Sequence, residues 1–252
     1  MLSEIRAIYF DLDDTLCGYW DACKQGLRET FDLVPVEGAA PAQVMDAWAR
    51  AFREFCPNLR DLGFYEKYLV EGGHTRLEQM RRTLGLLEVE DEALALRLSD
   101  TYLERRHDAL KLFPEAREVL DALRARYPLG LITNGPADVQ REEIRLLEIG
   151  DCFVNVFIEG ELGFGKPEPE VFRQAASAVG FGPSELLFVG NSYRHDIKPA
   201  IKAGWKTAWI RRDSDVPPSS SGARSAPEVL PEGAPAPTLE LGSLSELLQH
   251  LV

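Results

Sequence analysis

A chain of 252 residues with 45% hydrophobic and 27% charged residues is globular rather than disordered, and its length suits one core carrying an insert better than two large domains. Its 41 acidic against 28 basic side chains leave a formal charge of −13, which disfavours nucleic acid and anionic membranes as partners. Any anionic substrate must therefore meet a locally positive site made by a metal ion, a lysine or helix N-termini. Cys17, Cys23, Cys56 and Cys152 have neither Cys-x-x-Cys spacing nor a nearby histidine, and read as thiols of a reducing compartment. No leader-like segment and no apolar run of the ~20 residues that span a bilayer is evident, so a cytoplasmic protein is expected.

In chain order, Ile5 to Phe10 is β-branched and aromatic and stops at Asp11, which predicts a short buried strand with chemistry at its C-terminal end. From about Trp20 to Leu110 the rhythm is helical. Val44, Ala47, Trp48, Ala51, Phe52 and Phe55 step by three and four along one face, as do Leu77, Met80, Leu84 and Leu87, predicting a block of about four helices without a strand. After Phe113-Pro114 strands and helices alternate. Strands are expected at Leu129–Ile132, Phe153–Ile158, Leu186–Val189, Thr207–Ile210 and Thr238–Leu241, with helices near Glu170–Val179, Asp196–Ala203 and Leu244–Leu251. This alternation predicts a doubly wound α/β core, a mostly parallel Rossmann-like sheet built from residues 1–16 and 111–252, with an all-helical cap, 17–110, inserted after the first strand. Residues 213–237, rich in Pro, Ser, Gly and Ala, have no hydrophobic period and read as a flexible loop within the core.

Asp11-Leu12-Asp13-Asp14-Thr15 follows the first strand directly, so two carboxylates can converge on one small space: one suited to nucleophilic attack, the other to proton transfer, both to a hard cation. A calcium loop is excluded because Leu16 stands where glycine is needed and Ala22 where a bidentate glutamate is needed. Thr133, with Asn134 and Gly135, puts a hydroxyl and then a helix start at the end of a second strand, groups that bind phosphate oxygens. Lys166 lies in the loop Gly163–Pro169 just before a helix, and can be the fixed cation an acidic protein needs beside its carboxylates. Asn191 and Asp196, after Leu187–Gly190, add two oxygen ligands.

In order and spacing these motifs resemble the four motifs of the haloacid dehalogenase superfamily, and the helical insert resembles that superfamily's cap. The resemblance implies Mg²⁺-dependent hydrolysis of small phosphorylated metabolites. Asp11 would be the nucleophile that becomes an aspartyl phosphate, and Asp13 the general acid and base. Thr133, Asn134 and Lys166 would bind the phosphoryl group, and Asp11, Asp13 through its carbonyl, Asn191 and Asp196 the metal. Asp13 favours phosphate esters over halides, since dehalogenases of the family lack a carboxylate there. Phosphomutases keep it, and a binding protein without turnover is the non-enzymatic alternative. Asn191 departs from the aspartate usual at its position, which predicts weaker metal binding unless Asp196 compensates. Among the cap cations Arg76, Arg81, Arg82, Arg105 and Arg106, one or two are expected to reach the far end of a substrate. Trp20, Trp48 and Phe52 are expected in the cap core, with lining of a substrate pocket as the alternative.

Overall fold

A computed structural model describes residues 2–220 and 228–252. Six parallel strands form one sheet in the order β3-β2-β1-β4-β5-β6. They are β1 (Ala7–Phe10), β2 (Leu129–Thr133), β3 (Asn155–Ile158), β4 (Leu186–Gly190), β5 (Lys206–Ile210) and β6 (Leu239–Leu241). From β1 the chain winds outward through β2 and β3, then returns to the other side of β1 through β4. The ends of β1, β2 and β4 thus face one crevice where the winding reverses, the place at which open α/β sheets bind ligands.

Each strand alternates between two hydrophobic layers. Ile8 and Phe10 point into a layer with Leu120, Leu123 and Leu247, while Ala7 and Tyr9 point into the other with Phe172, Phe188 and Trp205. Burial on both faces explains why the strands read as continuous apolar runs rather than as alternating ones. The first layer is covered by α6 (Ala116–Arg124) and α11 (Glu246–Leu251), the second by α9 (Pro169–Val179) and α10 (Lys198–Lys202). The expected helix at Asp196–Ala203 begins earlier, as one π-helical turn, Tyr193–Ile197, that runs into α10.

Between β1 and α6 lie α1 (Tyr19–Leu33), α2 (Pro41–Phe55), α3 (Tyr65–Val70), α4 (Gly72–Gly85) and α5 (Glu92–Ala109), one helix more than the apolar rhythm indicated. The extra one, α3, has only Leu69 buried and is too short for a period to show. A separate core of Leu27, Phe31, Val44, Trp48, Met80 and Leu98 holds this block together. Helices α1 and α5 approach closely at Gly26, where an added Cβ would lie 2.9 Å from the Arg106 amide nitrogen. After β2, α7 (Ala137–Leu146) leads to β3 and the short α8 (Glu159–Leu162).

The described parts of 213–237 are tied to both halves of the molecule. Lys24 donates to the Ser214 carbonyl at 3.3 Å, Arg53 to the Ser219 carbonyl at 2.6 Å, and the Tyr193 hydroxyl to the Pro235 carbonyl at 2.9 Å. Residues 221–227 of that loop lie outside the described residues.

Gly130 in β2 has no room for a side chain, since a Cβ would lie 2.1 Å from the Tyr9 ring, itself anchored by its hydroxyl to the Ala175 carbonyl at 2.8 Å. Gly130→Ala is expected to destabilise the fold by about 1–3 kcal/mol through overpacking. Urea denaturation measures it, and an unchanged midpoint would refute this account of the β1–β2 contact.

Candidate active site

At the end of β1 the Asp11 carboxylate is 6% exposed and divided between two partners. Oδ1 accepts from Lys166 Nζ at 2.5 Å, and Oδ2 accepts from the Thr15 hydroxyl at 3.1 Å. Lys166 arrives from the loop between α8 and α9, and its ammonium also donates to Asp196 Oδ1 at 2.7 Å. Burial alone would lower the lysine pKa, but these two carboxylates outweigh it and the net shift is upward. Burial pushes Asp11 up to about 6, with Lys166 pulling it down and Asp196 adding to the rise.

The Lys166 loop is held by Asn134, whose carboxamide accepts from the Lys166 amide at 2.9 Å and donates to its carbonyl at 2.6 Å. The Asn134 side chain, expected on phosphate, is thus committed to positioning Lys166. Gly165 makes this clasp feasible, because a Cβ there would lie 2.6 Å from Asn134 Oδ1. Asp196 is likewise committed. Its second oxygen accepts from the Ser192 amide at 2.9 Å, and its carboxylate lies over Gly190, where a Cβ would come within 2.5 Å. Both Asp196 oxygens are thus engaged, one of them in orienting Lys166.

Asp13 sits beside a network that its neighbours in sequence did not announce. Gln140 on α7 donates at 3.2 Å both to Asp13 Oδ2 and to Glu143 Oε2, and accepts from the Thr133 hydroxyl at 2.6 Å. Asp13 Oδ1 is buried with no hydrogen-bond partner among the described residues. Burial, then the charges of Glu143, Asp11 and Asp14, hold the Asp13 carboxyl well above the ordinary carboxylate range. Glu143 is fully buried, and Arg106, reaching in from α5, pairs with it at 2.9 Å although the contact lacks hydrogen-bond alignment. Only the three-residue spacing of Gln140 and Glu143 on one face of α7 hinted at this network.

Asn191 is oriented on every side. Its Oδ1 lies 3.2 Å from the Thr15 hydroxyl, its Nδ2 donates to Asp215 Oδ2 at 2.8 Å, and its carbonyl accepts from the Trp209 indole at 2.6 Å. Asp14, at φ 57°, turns back to accept from the Trp20 amide at 3.0 Å, and burial pushes its carboxyl up to about 8. Asp14, Thr15 and Asp215 therefore join the site. Asp215 had no sequence signal, because it lies in the irregular loop after β5.

All of Asp11, Asp13, Thr133, Asn134, Lys166, Asn191 and Asp196 line one cavity of about 1150 Å³ between the sheet ends and the helical block. Trp20, Trp48 and Phe52 are both packing of the helical block and cavity wall: Phe52 stacks on Trp48 at 5.0 Å and Trp20 meets Phe52 edge-on at 6.4 Å. His195 is exposed and also lines this cavity.

The arrangement suits a divalent hard cation. Asp11 and Asp14 are buried and Asp13 half-buried; the charge of Asp11 helps to raise the pKa of both Asp13 and Asp14, and Lys166 offsets part of the rise at Asp11. Asp11 Oδ2 and Asn191 Oδ1 both adjoin the Thr15 hydroxyl, so two oxygen donors already converge. Among the described residues no three His, Cys, Asp or Glu side chains gather at metal spacing, so a hard cation there would draw on amide or main-chain carbonyl oxygens as well.

The profile of the haloacid dehalogenase-like hydrolases matches residues 5–204, and the chain belongs to that family. It is 37% identical over 228 residues to a phosphoserine phosphatase of Thermus thermophilus, covering 82% of this chain and 89% of that protein. It is 29% identical over 211 residues to a glyceraldehyde 3-phosphate phosphatase of Pyrococcus furiosus, covering 83% and 82%. The structure of the HAD-hydrolase YfnB of Bacillus subtilis, bound to magnesium, matches 98% of both chains with a TM-score of 0.69 at 22% identity, a likeness of fold. The protein is accordingly an enzyme, a hydrolase of the phosphatase kind.

Removing one member of the Arg106–Glu143 pair leaves the other charged and buried. Glu143→Leu and Arg106→Met are each expected to lower stability by about 3–5 kcal/mol, and the double variant that combines them by less than either single change. Denaturant unfolding of the three variants tests this, and additive losses would contradict the pairing.

Proposed function

We propose that the protein is a Mg²⁺-dependent phosphatase of small phosphate monoesters, acting through an aspartyl phosphate on Asp11 with Asp13 as general acid and base. The observation that carries this reading is the convergence of the Asp11 carboxylate, the Lys166 ammonium and the Asp13 carboxyl, held above the ordinary carboxylate range, in one cavity.

Lys166 and the Thr133 hydroxyl bind the phosphoryl oxygens at the sheet ends. An Asp11 oxygen attacks phosphorus, the bond from phosphorus to the ester oxygen breaks, and Asp13 gives that leaving oxygen its proton. The resulting Asp13 carboxylate then takes a proton from water as the water attacks phosphorus, releasing phosphate and restoring both aspartates. Gln140 holds Asp13 in position for both steps. Asp196 and Asn134 keep Lys166 aimed at Asp11. Asp11, the Asp13 carbonyl and Asn191 would hold Mg²⁺, whose charge screens repulsion between the nucleophile and the anionic substrate.

The raised Asp13 carboxyl supports ester cleavage over dehalogenation, because a departing halide needs no proton. The helices of residues 17–110 act as the cap that excludes water and sorts leaving groups.

Phosphate release should require Mg²⁺ and stop in a chelator. Asp11→Asn is expected to abolish release while leaving the unfolding midpoint folded-like, and Asp13→Asn to slow it about 10²–10⁴-fold. Turnover by Asp11→Asn at the parent rate would overturn the nucleophile assignment. Asn191→Asp is expected to bind Mg²⁺ more tightly in a calorimetric titration, since it adds a negative ligand. Unchanged or weaker binding would remove Asn191 from the metal site.

A further inference from the structure

The cavity above the aspartates has a cationic spot that the chemistry at phosphorus does not use. Arg76, on α4, lines its wall and is half-buried. Among the described residues Arg76 makes no hydrogen bond or ion pair, and its Nε is shut from water without a partner. Burial, then the charge of Arg106, lowers its pKa, and the more distant Tyr102, Asp100 and Asp138 offset this only in part. The other cap cations are engaged or remote. Arg106 is paired with Glu143, Arg81 with Glu92, Arg82 with Glu78 and Arg105 with Asp108, while Arg60 is exposed and lies 3.6 Å over the Tyr65 ring. One turn further along α4, Gln79 is 5% exposed and its Oε1 also has no partner. A half-buried guanidinium is retained at a disadvantage unless something completes it.

We infer that Arg76 binds a carboxylate at the far end of the leaving group, so that the preferred substrates are phosphate monoesters of small carboxylic acids. This rests on the phosphatase reading for the other end of the same cavity. The planar fork of arginine matches a carboxylate through two parallel N–H···O bonds. Its single unit of charge balances a carboxylate and leaves a second phosphate half-neutralised in a chain of net charge −13. The aromatic wall of Trp20, Trp48 and Phe52 accepts the carbon skeleton between the two anionic ends.

The test uses two isosteric probes, 4-carboxyphenyl phosphate and p-nitrophenyl phosphate, which differ in charge at the far end and share the phosphate. Their affinities are measured by calorimetry in the full-length Asp11→Asn protein with Mg²⁺, alone and combined with Arg76→Gln or Arg76→Lys. The expected result is tighter binding of the carboxylate probe, a preference that falls on the order of tenfold or more with Arg76→Gln and partly returns with Arg76→Lys. Equal loss of both probes in Arg76→Gln, or a preference that survives it, overturns the inference. Phosphate release by the parent protein is followed in parallel. An Arg76-dependent preference without turnover would sink the phosphatase reading and leave the subsite standing, while turnover with no such preference would do the reverse.

Discussion

The buried ammonium of Lys166, held between Asp11 at 2.5 Å and Asp196 at 2.7 Å, is the contact on which the site depends. A strand end that gathers carboxylates away from water is unfavourable, and each ionised oxygen there must find a cation or a donor. One lysine drawn from a distant loop serves two of them and joins β1 to the π-helical turn after β4. The surrounding details follow from this requirement. Asn134 clasps the lysine backbone, Gly165 and Gly190 clear space for the close approaches, and Ser192 fixes the far oxygen of Asp196. The lysine offsets only part of the acid cluster, and the remaining excess of negative charge is what makes a divalent cation a fitting companion.

A second buried ion pair links the helical insert to the sheet. Arg106 enters from α5, whose backbone packs closely on that of α1 at Gly26, and it meets Glu143 beneath the Gln140 amide that also touches Asp13 and Thr133. A residue of the insert therefore bears, through two side chains, on the carboxyl group best suited to proton transfer. The contact is suited to registering the position of the insert over the sheet, since a misplaced Arg106 would leave Glu143 charged and alone. The same insert lines the cavity with aromatic rings that are also its own packing, so shape and stability share residues there.

What could be read from residues alone, and what could not, divides along physical lines. Strand ends are legible because a buried parallel strand is a short apolar run, and its last residue marks where polar chemistry begins. Asp11, Thr133 and Asn191 were found in this way, and Lys166 by its place before a helix start. The count of insert helices was less legible, since α3 has too few buried positions to carry a period. Gln140 and Glu143 offered no more than a shared helix face, and Asp215 nothing, because polar residues on a helix face or in a Pro-rich loop look solvated until the fold places something against them.

The sequence by itself determined the class of fold, the insert after the first strand, the family resemblance and the acidic, lysine-bearing character of the site, because these rest on periodicity and on residue types at strand ends. Tertiary structure decided which oxygens remain free. It turned Asp196 and Asn134 toward Lys166, brought Asp215 to Asn191, and left Arg106 paired and Arg76 unpaired among the described residues of one cavity. The reason is that a charged side chain's role depends on the partners it meets across the fold, and those partners here lie far away in the chain.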